Sequence, residues 1–247
     1  MSCEAAPLLR LYAIVERLRN PVTGCEWDRV QTFASIAHYT IEEAYEVSDA
    51  IVRDDPAAIK EELGDLLFQV VLHARIAEQA GLFALSDVAT AIADKMERRH
   101  PHIFGDAATR PDWENMKAAE RATSSAVDGV ALALPALMRA EKLQKRAART
   151  GFDWPDAAGP RTKILEELAE VDAATTDDAR EDEVGDLLFA AVNLARHLRI
   201  DPEVALRRAN AKFERRFRAI EVAEGFSALS LAEKEALWTA AKAAQRV

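Results

Sequence analysis

Residues 41–52 read Ile-Glu-Glu-Ala-Tyr-Glu-Val-Ser-Asp-Ala-Ile-Val. The apolar residues Ile41, Ala44, Tyr45, Val47 and Ile51 recur at three-and-four spacing, while Glu42, Glu43, Glu46 and Asp49 fall toward the other side. That is the period of an amphipathic helix. Just downstream, Asp55 supplies a polar cap and Pro56 a first-turn proline for a second helix running past Arg75, which Gly81 ends. A further helix is expected after Ser86 or Asp87 and before Pro101. No stretch carries a hairpin signal, so the expected fold class is all-α.

The acids of this stretch occur twice. Glu42, Glu43 and Glu46 are followed by Glu62 and Asp65, and Glu166, Glu167 and Glu170 by Glu183 and Asp186; both sets end in Gly-Asp-Leu-Leu-Phe. Residues three or four apart share a helix face, so two antiparallel helices can gather four carboxylates at one spot. A single Glu-Glu-x-x-Glu is ordinarily a solvated helix face. Recurrence directly against a Leu-Leu-Phe stripe places these carboxylates at a core boundary, where they are costly unless paired or metal-bound. All-oxygen sites suit hard divalent cations, above all Mg²⁺, which in turn favours phosphate substrates.

The repeat extends further. Val71 matches Val192 and Ala74-Arg75 matches Ala195-Arg196, and Gly24-Cys25-Glu26-Trp27 echoes Gly151-Phe152-Asp153-Trp154. The Glu42-to-Glu166 and Gly64-to-Gly185 offsets differ by three, so the connection between the acidic helices is expected to be three residues shorter in the second copy. Two homologous helical units are expected, 1–104 and 136–247, joined by a linker over 105–135 containing one short helix. The wide Leu-Leu-Phe faces point to a homodimer.

The net charge of −10 argues against binding a nucleic-acid polymer through a basic surface. Two cysteines, Cys3 and Cys25, are too few for a disulfide framework. Without a secretory leader pattern or an apolar run of membrane-spanning length, the chain reads as cytoplasmic. No GxxxxGK[ST], GxGxxG or GxSxG pattern is present, which removes P-loop and serine-hydrolase chemistry.

The doubled acids, together with Gly-Cys-Glu-Trp-Asp-Arg (24–29), Arg-Arg-His-Pro-His (98–102), Leu-Pro-Ala-Leu (134–137) and Lys-Phe-Glu-Arg-Arg-Phe-Arg (212–218), resemble the two-domain MazG proteins of the all-α nucleoside triphosphate pyrophosphohydrolases over almost the whole chain. The chain differs from the family pattern at Glu26, where proline is usual. The resemblance implies Mg²⁺-dependent hydrolysis, with Mn²⁺ as a substitute ion, of NTPs and dNTPs to monophosphate and pyrophosphate with loose base preference. It implies Glu167, Glu170, Glu183 and Asp186 as metal ligands, Glu166 beside them, and Glu43, Glu46, Glu62 and Asp65 as a matching set with Glu42. It also implies nucleotide contacts from Lys163, Lys117, Lys212, Arg215, Arg216 and Trp238.

The two sites are expected to be unequal. Asn193 stands seven residues after Asp186 on the same helical face, where the first copy has Leu72. The second unit is therefore expected to carry most of the hydrolysis, with Asn193 among the nucleotide contacts. Other readings are a non-catalytic helical interaction protein using metal-bound acidic faces, and a narrower dNTP pyrophosphatase of the same fold. His100 and His102 are expected to cap or pack a turn, and Cys25 to pack near Trp27.

Overall fold

The computed structural model describes residues 5–105 and 125–244. Lys117, Cys3 and most of the expected linker lie outside that set. The fold is all-α, with no strand among the described residues. The chain divides into two compact units, Met1–Arg121 and Ala122–Val247.

The first unit contains α1 (Ala5–Leu18), α2 (Phe33–Val52), α3 (Pro56–Gln79), α4 (Leu85–Arg99) and the single turn α5 (Pro101–Phe104). Thr32 caps α2, its side chain accepting from the Ser35 N–H. Asp55 caps α3 by accepting from the N–H groups of Ala57 and Ala58, and Pro56 fills the first helical position, which needs no N–H donor. Gly81, at φ 69°, terminates α3: its N–H donates to the Glu78 carbonyl and that of Leu82 to Ala77. The helix α4 begins at Leu85, earlier than expected. Asp87 lies inside its first turn and reaches back to accept from the Ala84 N–H at 2.8 Å. Val15, Ile36, Val71, Leu72 and Ile76 form the core, with Tyr12, Tyr39 and Phe68 against it. Cys25 is exposed rather than packed. His100 closes α4, its ring nitrogen Nδ1 2.7 Å from the Met96 carbonyl.

The second unit contains α6 (Ala136–Ala148), α7 (Ala158–Ala173), α8 (Asp177–His197), α9 (Pro202–Glu221) and α10 (Leu231–Ala244). In each unit the two acidic helices, α2 with α3 and α7 with α8, pack along one another across a three-residue connection, which makes them antiparallel. The expectation of a shorter second connection is thereby corrected, because 53–55 and 174–176 are equally long. The three residues are lost from helix: α2 runs six residues beyond Glu46, whereas α7 stops three beyond Glu170. A three-residue link is already near the minimum for joining antiparallel helices, and trimming almost one turn from a helix end leaves the remaining faces in register.

Candidate metal and nucleotide site

In the first unit one carboxylate oxygen each of Glu43, Glu62 and Asp65 lies within 4.8 Å of the others; in the second, Glu167, Glu170 and Glu183 do the same. Spacing explains the match: Glu43 and Glu167 come from the first acidic helix of each pair, and Glu62 and Glu183 face them from the second. Glu46 and Asp186 fall outside these triplets. Glu46 is still close enough that its charge raises both Glu43 and Glu62, and Asp186 lines a cavity beside its cluster.

Crowding shows in the acidities. Burial pushes the Glu43 carboxyl above its ordinary range, and repulsion from Asp65, Glu46, Glu42 and Glu62 adds to it. Glu170 is raised chiefly by hydrogen bonding with Glu167, then by burial and the charges of Glu167 and Glu183, against the opposing pull of Lys163. The most telling group is Glu167. It is 3% exposed; its Oε1 meets Lys163 Nζ at 2.6 Å, and its Oε2 is buried with no hydrogen-bond partner. An unpartnered, buried carboxylate oxygen next to two further carboxylates fits a hard divalent cation, whose preferred ligands are such oxygens.

Lys163, expected to contact nucleotide, bridges Glu166 at 2.7 Å and Glu167. Those two hydrogen bonds hold its ammonium well above the ordinary lysine range. It thus neutralises part of the cluster while standing on the cavity wall.

That cavity, about 710 Å³, lies in the second unit. Glu167, Asp186 and Lys163 are its charged lining; Phe152, Trp154 and Phe189 its aromatic lining; Asn193 and Gln144 supply amides. Trp154 is seated on Gly159, where any Cβ would run into the indole. Asn193 is buried. Its Oδ1 accepts from Arg196 Nε at 3.1 Å and Nη2 at 2.7 Å, and the same guanidinium forms a fork with Asp153, Nη1 to Oδ2 at 2.9 Å and Nη2 to Oδ1. Arg196 holds the Asp153 carboxyl below its usual range, with His197 adding to the effect. In the first unit Leu72 takes the place of Asn193 and is 1% exposed within the apolar core.

The basic stretch lies elsewhere. Lys212, Arg215 and Arg216 are on α9 and Trp238 on α10; the Arg216 guanidinium sits 6.0 Å from the Trp238 ring centre, and the Phe213 ring lies tilted against that ring at 5.3 Å between centres. None of the four lines the cavity.

Sequence reasoning missed Gln144, Asp153 and Arg196. Gln144 has no local signal, being one polar residue in a charged helix. The other two did have one: both copies carry an acid before the tryptophan and an arginine after Ala74 or Ala195.

Residues 31–104, which contain the whole first acidic set, match the MazG nucleotide pyrophosphohydrolase domain. The chain is 52% identical over 226 residues to a nucleoside triphosphate pyrophosphohydrolase of Escherichia coli strain K12, covering 86% of each chain. The chain belongs to the MazG family. A second MazG protein, the nucleoside triphosphate pyrophosphohydrolase/pyrophosphatase of Thermotoga maritima, is 46% identical over 85% of this chain and 84% of its own. One from Mycobacterium tuberculosis, also called a nucleoside triphosphate pyrophosphohydrolase, is 36% identical over 70% of this chain and 52% of its own. No described helix is long and apolar enough to cross a membrane.

Proposed function

We propose that the chain hydrolyses nucleoside triphosphates, both NTPs and dNTPs with loose base preference, to monophosphate and pyrophosphate, and that the second unit does most of this work. The observation that carries the reading is one cavity, within one unit, lined both by the carboxylates Glu167 and Asp186 and by aromatic rings: cation ligands together with surface for a flat ring. Glu167, Glu170 and Glu183, with Asp186 beside them, would hold Mg²⁺. When bound, that ion neutralises charge developing on phosphate oxygens and activates water. In this reading Glu166 would orient the attacking water, and Lys163, which pairs with Glu166 and Glu167, would also serve the phosphates. The names of the relatives support the same activity.

The first unit binds a cation but carries little turnover, since Leu72 makes apolar core of the position that Asn193 opens to the second unit's cavity. We further assign a homodimer, and read Lys212, Arg215, Arg216 and Trp238, which do not line the cavity, as further nucleotide contacts. Incubating the chain with Mg²⁺ and each NTP and dNTP, then separating the products, tests the activity: monophosphate with pyrophosphate is expected, and diphosphate with orthophosphate overturns it. Glu170→Gln is expected to lower turnover far more than Glu46→Gln. The reverse order would move the reaction to the first unit.

A further inference from the structure

Two buried amides of the second cavity are each fixed by a partner of one polarity. Arginine has no acceptor, so the two bonds from Arg196 fix Oδ1 of Asn193 toward the guanidinium. Its NH₂ group has no partner among the described residues. Gln144 is the mirror case. Its Nε2 donates to the Phe189 carbonyl at 2.8 Å, a partner that can only accept, and its Oε1 is buried and unpartnered. Gln144 is 6% exposed, and both residues line the same cavity. The wall therefore holds one spare donor and one spare acceptor, neither of which can exchange roles.

We propose that Gln144 and Asn193 together recognise the 3′-hydroxyl of the nucleotide sugar, with Arg196 and Asp153 as positioning residues that hold the Asn193 amide in its donor orientation. A hydroxyl is a single group that donates to Gln144 and accepts from Asn193 at once. Asn193 lies two helical turns, about 10 Å, along α8 from Asp186, which suits the nucleoside rather than the phosphates. The 3′-hydroxyl is the sugar hydroxyl common to NTPs and dNTPs, and a wall otherwise rich in Phe152, Trp154 and Phe189 takes the base without reading it. This assignment rests on the triphosphatase reading above.

The test compares kcat and KM of the full chain with Mg²⁺ for ATP, dATP, 3′-deoxyATP, UTP, CTP and GTP. Loss of the 3′-hydroxyl is expected to raise KM at least about tenfold, because it leaves the buried Gln144 oxygen and the Asn193 amide without the partner they share; loss of the 2′-hydroxyl has little effect. Gln144→Met and Asn193→Leu are expected to bring that ratio near one by worsening KM for ATP, and Arg196→Met to behave like Asn193→Leu, with the double variant losing no more than either. Leucine already occupies the matching position of the first unit, so Asn193→Leu is expected to fold, and its melting curve checks this. If wild type uses 3′-deoxyATP as well as ATP, the sugar assignment falls while the activity stands. If the variants instead change the ranking of uracil, guanine, adenine and cytosine nucleotides, the pair reads a base edge and the assignment is overturned. If wild type cleaves no triphosphate, both readings fall together.

Discussion

Glu167 concentrates the chemistry of the second unit in one side chain, with one oxygen on Lys163 and the other buried without a partner. Removing its charge takes away the most buried carboxylate of the cluster. Glu167→Gln is expected to lower turnover by about a hundredfold or more and to remove the second unit's share of the rise in melting temperature that Mg²⁺ produces in the wild type, leaving the share of the first unit's Glu43, Glu62 and Asp65; a full Mg²⁺ shift in the variant would contradict the site. Asp153 sets a pH dependence. Its carboxyl titrates lower in the fold than in the unfolded chain, so its contribution is complete above the unfolded value of about 4 and is lost as pH falls through the folded value. Asp153→Asn is expected to cost about 1 kcal/mol at pH 7. The difference from wild type should close on acidification below about pH 4, measured by denaturant titration at a series of pH values.

At the scale of elements, capping is an energetic claim as well as a boundary marker. Asp55 satisfies two N–H groups at the start of α3, and Asp55→Ala is expected to destabilise the first unit by about 1 kcal/mol, seen as a lower urea midpoint at unchanged slope. The helices and this cap were legible in the sequence because periodicity and Asp-Pro are local signals. The gathering of carboxylates was legible for the same reason, since three-and-four spacing fixes a face, but not which three would close up in each unit, where Glu46 and Asp186 stay outside. Gln144 was not legible, because its role arises from α6 lying against α8, a tertiary fact. The place of the three-residue deletion was also hidden: offsets count residues and do not tell helix end from connection.

At the scale of the molecule, the described chain by itself leaves large apolar residues on its acidic helices uncovered, among them Leu63 and Leu67 on α3 and Leu188 and Phe189 on α8. Such surface is costly in water at about 25 cal/mol per Å². Light scattering of the full chain is expected to give about twice its 27.2 kDa mass, and a monomer at micromolar concentration would refute the dimer. The division into two units gives that measurement a companion, because unfolding curves of the site variants should report on one unit at a time.

The turn missing from α7 has an electrostatic result. Glu170 lies in the closing turn of its helix, where its own carbonyl accepts the last capping N–H, from Ala174. A helix ends in a partial negative charge, and a carboxylate there is disfavoured. Glu46, with six further helical residues beyond it, is spared this. The second unit thus aims the negative pole of a helix macrodipole at a cluster already short of positive charge, so that its appetite for a cation is set by backbone as well as by side chains.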